Sequence, residues 1–245
     1  MVRRTKEEAQ ETRHKLLDAA EHLFQAQGVS RTSLQDIALR AGTTRGAIYW
    51  HFKDKADLFN AMMDRVTMPL EATFTQDDSP LAKGQTTDCV ALYRIRQCTL
   101  NALEQIVNDP QTRRVFEVAT QKVEYGEELQ AVRQRHLAVR NNCVSSIEQR
   151  MEAAAQQIGL QLPISSSVAA QGLHALIDGL IQNWLLDPTG FDLLKIGPPI
   201  MDAYLAGLGF GAEQQKGAAA ATTPPPSHKP PAKRASGKPL TDRCK

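Results

Sequence analysis

A chain of 245 residues and 27.0 kDa has the volume for a hydrophobic core that needs no disulfide or metal staples. Hydrophobic residues at 42% and charged residues at 23% are ordinary for a soluble protein, whereas aromatic residues at 5% are scarce, which favours an all-helical fold over a β-sandwich. The net charge of +2 hides an uneven spread: ten Lys and Arg against seven Asp and Glu over 1–55, twelve against eighteen over 56–211, and seven against two over 212–245. A basic front on an acidic body points to a polyanion met only by the front. The cysteines Cys89, Cys98, Cys143 and Cys244 form no CxxC and have no histidine at ligand spacing, so neither a zinc site nor a disulfide framework is expected. No metal or cofactor is expected, and the thiols read as free, with a Cys98–Cys143 redox pair the lesser alternative. The first residues, MVRRTKEEAQETRHK, carry no apolar signal core, and the longest apolar run, ALIDGLIQNWLL, is broken by Asp178 and Gln182. A cytoplasmic protein is expected.

The helices follow in chain order. Thr5-x-x-Glu8 reads as a capping box, after which Leu16, Leu17, Ala20, Leu23 and Phe24 recur at helical spacing up to a stop at Gly28. Thr32-x-x-Gln35 reads as a second box, leading into Leu34, Ile37, Ala38 and Ala41 and a stop at Gly42. Thr44 is the expected N-cap of a helix over Arg45 to Phe52 that turns Ile48 and Phe52 inward. Two short helices on a glycine turn make a helix-turn-helix. Asp54-x-x-Asp57 restarts the chain, with Leu58, Met62 and Val66 on the inner face.

Only helices are predicted beyond this point, over roughly 87–108, 110–124, 127–158 and 165–186. Asp109-Pro110 supplies an N-cap and N1 proline, Gly159 a stop and Asp187-Pro188 an end. Gly197-Pro198-Pro199 is expected to interrupt the last helix, leaving a regular part from about Pro199 to Leu208. From Gly217 the chain is Ala-, Pro- and Lys-rich with little apolar bulk, and is expected to be disordered.

The chemistry concentrates in the short helix after Gly42. Of thirteen aromatic residues, Tyr49, Trp50 and Phe52 fall within four positions around His51. With Ile48 and Phe52 inward, Arg45, Tyr49 and Trp50 lie on the outer side, where large rings have reason to be only if they touch a partner. The Tyr49 hydroxyl, the Trp50 indole and the Lys55 ammonium suit phosphate, and Arg45 at the helix N-terminus suits a guanine edge in the major groove. Gly46 lets backbone approach bases, and Thr44 stands at a helix N-terminus that favours phosphate. The alternative is that Tyr49 and Trp50 pack inward as ordinary core.

The segment SLQDIALRAGTTRGAIYWHFKDKADLF resembles the DNA-binding domain of the tetracycline-repressor (TetR) family of bacterial regulators, a likeness covering residues 10–66. The early MVRRTKEEAQETR and the later TRR, IDGLI and WLL segments are similar to the multidrug-efflux-pump repressors of that family. The resemblance implies three domains or segments: a helix-turn-helix domain over 1–60, an all-helical ligand-binding and dimerisation domain over 61–211, and the tail over 212–245. It implies a homodimer on a palindromic operator, released by a small amphipathic, drug-like inducer; from the short, polar-broken apolar runs no membrane partner is expected. By matching position it places Arg45 and Gly46 close to bases, with Gln35 also able to reach one. Thr44, Tyr49, Trp50, His51 and Lys55 take phosphate-contacting or helix-supporting places. Ala47 is smaller than the residue many relatives carry there and offers a methyl for thymine contact. His51 is open between capping the helix end and touching phosphate.

In the second domain, Gly172, Leu173, Leu176, Ile177, Leu180, Ile181 and Trp184 make an apolar face wider than one core contact needs, beside a polar stripe of Gln171, His174, Asp178 and Gln182. Such a helix is expected to be buried from several sides, with dimerisation through it and the last helix, or a central place in a monomer core, as the two readings. Similarity to efflux regulators points to a pocket with Cys98, Ala102, Phe116, Thr120, Ile147, Ile177 and Asp178, each also explicable as core or solvated surface. An enzyme is the rival class, but HExxH, GxxxxGK and GxSxG are all missing from the sequence, and His136 reads as a solvated helix face. A nucleoid-coating protein using the basic tail is the third class, and predicts sequence-independent, salt-steep binding.

Overall fold

The computed structural model describes residues 6–75 and 90–211. Thr5 of the first expected box, Cys89, Cys244 and the whole tail after 211 lie outside the described residues. Within them the fold is all-helical, with no strand. The first three helices are α1 (Lys6–Gln27), α2 (Leu34–Arg40) and α3 (Arg45–His51), followed by α4 (Lys55–Thr75). Their ends match the local chemistry. Gly28 and Gly42 take φ of +88° and +67°, so the turns after α1 and α2 use a left-handed conformation that glycine adopts without strain. Thr44 Oγ1 accepts from Ala47 N at 3.2 Å, and Asp54 Oδ1 accepts from Asp57 N at 2.8 Å.

The cap of α2 differs from expectation. Ser33, not Thr32, is the N-cap: its Oγ accepts from Asp36 N at 3.1 Å while Asp36 Oδ2 accepts from Ser33 N at 3.0 Å. Thr32 is fully buried, and its hydroxyl donates back to the Gly28 carbonyl at 2.7 Å. The reversal at Gly28 folds Val29 and Thr32 under α1, which leaves Ser33 as the first extended residue at the helix mouth. A single apolar cluster ties these elements together, with Leu16, Leu17, Ala20 and Phe24 meeting Ile37, Ala38, Ile48, Phe52, Phe59 and Met62. The Phe24 and Phe59 rings pack with centroids 6.0 Å apart.

The remaining helices are α5 (Val90–Asn108), α6 (Pro110–Gln121), α7 (Gln130–Ile158), α8 (Ser166–Leu186) and α9 (Leu193–Gly207), with a 3₁₀ turn at Glu127–Leu129 opening α7. Asp109 caps α6 through Gln111 N and Thr112 N, and Gly159 ends α7 with φ of +66°. α9 does not break at Pro198-Pro199: it runs unbroken through both prolines from an Asp192 cap. Both prolines stand in its second turn, so the carbonyls that lose donors belong to its first. The apolar face of Leu193, Gly197, Met201 and Leu205 compensates by packing under α5 and α8. Gly197 permits that approach, since a Cβ there would stand 2.7 Å from Leu103 Cδ1.

One cluster joins α5, α7, α8 and α9 around Met151, Ala169, Leu173, Met201 and Phe210; another joins Leu103, Ile106, Ile181, Trp184 and Leu193. α6 stands between the head and this bundle, touching α1 and α4 on one side and α5 and α8 on the other. The expected division at 60/61 falls inside α4, whose Leu58, Phe59 and Met62 all belong to the head's cluster.

Candidate nucleic-acid interface

α3 is only seven residues long and is held by one buried side chain of its own, Ile48, with Phe52 following at its C-cap. Four of its seven residues are exposed. Tyr49 is 50% exposed and Trp50 72% exposed, and Thr44, Arg45 and Gly46 are exposed with them. The inward-packing alternative for these two aromatics therefore does not hold. The Arg45 guanidinium lies 5.8 Å from the Tyr49 ring centre, a cation–π contact one turn along the helix. His51, half-buried, stands edge-on to Trp50 with centroids 4.6 Å apart, so the imidazole props the indole outward. Ala47 is half-buried, its N–H taken by the Thr44 cap.

Among the described residues nothing requires a glycine at Gly46. A Cβ there would meet only Thr44 Oγ1, at 3.9 Å. On α2, Gln35 is exposed, and Leu39, one turn further on the same stripe, is 79% exposed. Sequence reading missed Leu39 because an apolar residue inside a helical period counts toward the core by default. Only the register set by Ile37 and Ala38 turns it outward.

Lys55 is a correction. Its ammonium is 8% exposed and donates to the carbonyls of Val29 and Thr32, each at 3.2 Å, and of Ser30 at 3.5 Å, with Glu128 Oε2 at 3.3 Å. The turn after α1 leaves carbonyls pointing inward with no helix to take them, and Lys55 in the first turn of α4 reaches them. It holds the turn that aims α2, and is not presented to phosphate.

The seven residues expected at a pocket have different surroundings. Ala102 and Phe116 pack on the head-side cluster; Phe116 and Ile177 both border the cluster around Trp184, and Ile177 also borders the bundle core. These three mark the seams where the apolar clusters meet. Ile147 is buried in the bundle core, and Cys98 is buried with the Arg150 guanidinium 3.8 Å from its Sγ. Cys98 and Cys143 form no disulfide. The Thr120 hydroxyl donates to its own helix at Phe116 O, 2.8 Å away.

Asp178 accepts from Gln182 Nε2 at 2.5 Å on the polar stripe of α8. That stripe meets polar groups of α7: Arg140 donates to Gln171 at 3.1 Å, and desolvation lowers both His136 and His174 below the ordinary imidazole value while Asp178 opposes it. His136 is exposed, and its Nδ1 lies 3.1 Å from the Tyr125 hydroxyl. A surface cleft of about 320 Å³ lined by Asn101, Glu104, Gln105, Asn108 and Asp109 shares none of the expected pocket residues.

On α8, Gly172, Leu176, Ile177, Leu180 and the exposed Val168 and Leu186 leave an apolar face incompletely covered, while Leu173, Ile181 and Trp184 are buried. Gly172 is required where α9 crosses, because a Cβ would lie 2.2 Å from the Tyr204 hydroxyl, which donates to Ala169 O at 2.9 Å.

Comparison with known proteins bears on all of these surfaces. Residues 16–62 match the family described as bacterial regulatory proteins, tetR family, and residues 91–210 match that of the MAATS-type transcriptional repressor, C-terminal region. The chain is 39% identical over 194 residues to the HTH-type transcriptional regulator TtgR of Pseudomonas putida, covering 79% of this chain and 90% of that one. The crystal structure of NalD, the secondary repressor of the MexAB-OprM multidrug efflux pump in Pseudomonas aeruginosa, superposes with a TM-score of 0.72 at 34% identity, covering 83% of this chain and 98% of that one. The SmeT–triclosan complex, SmeT being the repressor of the Stenotrophomonas maltophilia efflux pump SmeDEF, gives 0.68 at 28% identity over 80% of this chain and 90% of that one. The helix Arg45–His51, the half-covered α8 and α6 thus sit in a chain that belongs to the tetR family of bacterial regulatory proteins, helix-turn-helix regulators of transcription.

Proposed function

We propose that this protein is a repressor of multidrug efflux genes that binds a palindromic operator as a homodimer and leaves it when a small amphipathic drug binds the helical body. The observation that carries the DNA-reading part is the outward face of α3, where Arg45, Tyr49 and Trp50 are exposed around a glycine that nothing among the described residues requires. Gly46 is the second residue of α3, and the missing side chain there leaves room for bases to approach the backbone closely. In this reading Arg45 addresses a base edge. Thr44, Tyr49 and Trp50 hold phosphates, while Gln35, Ala47 and Leu39 supply further base contacts and His51 orients Trp50.

Two copies of α3 would enter successive major grooves about 34–36 Å apart. The half-covered face of α8, continued by α9, supports pairing of the bodies into the dimer that sets this spacing. Residues up to about 60 act as the head, and 61–211 as the body. The drug site of this reading lies at the seams bordered by Ala102, Phe116 and Ile177, with Cys98, Thr120, Ile147 and Asp178 as its further candidates. The efflux and drug assignments rest on the relatives. A coupling of about 1–3 kcal/mol between drug and operator is enough for a 5- to 150-fold release.

The test is binding of the full chain to its own promoter duplex and to a scrambled duplex of equal length, at near-physiological salt, with and without a panel of amphipathic drugs including triclosan. Promoter preference lost on adding a drug is the expected result. Equal, salt-steep binding to both duplexes would favour a nucleoid-coating role for the basic tail instead.

A further inference from the structure

We propose that Glu21 is a positioning residue that fastens the DNA-reading head to α6, so that head and α6 move as one body. Among the described residues the buried charged side chains are Glu21 and Lys55, and both lie on the seam between head and body. Glu21, on α1, is 1% exposed, and its carboxylate collects groups from two other helices. Gln111 Nε2 donates to it at 2.9 Å and Arg114 at 3.4 Å from α6, and Arg65 at 3.1 Å from α4. The contact continues as a row. One turn along α1, Gln25 donates to Glu117 Oε2 at 2.8 Å, and beyond Gly28 the Val29 N–H donates to the Lys122 carbonyl at 3.1 Å. Positions 21, 25 and 29 thus meet 111/114, 117 and 122 in the same order, and α1 and α6 run side by side along nearly the whole length of α6.

Burying a carboxylate is unfavourable, and an apolar residue of similar volume would fill this space if packing were all that was needed. Desolvation does raise the Glu21 carboxyl above the ordinary value, with Gln111, Arg65 and Arg114 drawing it back. What a charge supplies and an alkyl group does not is direction: it ties α1 to particular donors on α6. On a helical wheel, Gln111, Arg114 and Val118 fall on one side of α6 and Phe116 and Thr120 on the other, Phe116 bordering both the head-side cluster and the one around Trp184. Displacement of α6 from its Phe116 side is therefore carried across one helix diameter to the carboxylate that holds the head. This coupling rests on the repressor reading, since it is the route by which occupancy of the body would reach the operator.

The test is amide hydrogen exchange read by mass spectrometry on the full chain, free and with its promoter duplex, for wild type, Glu21→Leu and Arg114→Gln, each with a melting curve. Glu21→Leu should keep the wild-type melting temperature yet exchange residues 110–121 about fivefold faster or more in the free protein, with 166–186 unchanged. The duplex should slow α6 in wild type and no longer do so in either variant. If α6 exchanges at the wild-type rate in both free variants, the proposal is overturned, whatever the duplex does. Should Glu21→Leu melt early, Arg114→Gln decides, because Arg114 is 22% exposed and its loss leaves α1 intact. A wild type indifferent to the duplex sinks the repressor reading, while the free-protein comparison still judges Glu21.

Discussion

The outer face of α3 and the outer face of α8 are both incompletely covered, but for opposite reasons. α3 is a seven-residue helix with one buried side chain, and its exposed groups are a guanidinium, a phenol and an indole, each with a polar handle. α8 is a twenty-one-residue helix whose partly covered apolar residues are Leu176, Ile177 and Leu180, with Val168 and Leu186 exposed, alkyl side chains with no polar handle. Polar-tipped rings around a glycine fit a polar partner with grooves, whereas partly covered alkyl surface fits another protein surface of the same kind. Exposure alone does not separate an operator from a subunit; the chemistry of what is exposed does.

The sharpest way to break the contrast is to ask whether the head's cations divide as their burial says. Lys55→Met should cost about 2–4 kcal/mol of stability, because three backbone carbonyls lose their donor, and should lower the melting temperature by roughly 5–10 °C. The slope of log affinity against log salt for operator DNA should stay at the wild-type value at a temperature where the variant is folded. A slope reduced by about one would return Lys55 to the phosphate contacts. On the other face, Leu176→Glu should convert the proposed dimer to monomer in sedimentation and weaken operator binding about tenfold or more, since two linked heads would give way to one. A variant that stays dimeric would remove α8 from the interface. Arg45→Ala should then cost about 1–3 kcal/mol in operator affinity and relax preference at one base pair, with the melting temperature unmoved. Titration of operators carrying single base changes reads this directly. Unchanged preference at every position would take Arg45 off the reading face.

The head was nearly all legible because its signals are local. Gly28, Gly42, Thr44 and Asp54 each fix a helix end within a few residues of themselves, and the spacing of Ile48 and Phe52 orients α3 without knowledge of any other element. What escaped depends on partners distant in sequence. Thr32 and Ser33 are both good caps, and the choice between them was made by burial under α1. Lys55 looked like a surface cation because the carbonyls it serves lie 23 to 26 positions earlier. Glu21 occupies an ordinary helical position until α6 arrives, 90 and 93 residues later, with Gln111 and Arg114. The unbroken α9 escaped for the same reason, since its prolines are tolerated through packing against α5 and α8 that no local rule contains. The pocket residues were the least legible: side chains that border three apolar clusters have the same periodicity as those inside one.

The smallest expected effect concerns the polar side of α8. His136 and His174 are both held below the ordinary imidazole value of 6.5, chiefly by desolvation, with Asp178 opposing for both and Arg140 and His136 adding to the lowering at His174. The folded protein therefore favours the neutral rings more strongly than the unfolded chain does. Below about pH 6.5 the unfolded chain binds more protons, so this pair contributes a loss of stability as pH falls, and none above it. Urea midpoints at about pH 7.5 and pH 5.5 should separate more for wild type than for His136→Gln/His174→Gln, once the carboxylates common to both chains are subtracted by the comparison. Equal separation would mean that α7 and α8 leave both rings as well hydrated as in the unfolded chain. The polar stripe would then be ordinary surface, and the contrast between α3 and α8 would rest on the apolar face alone.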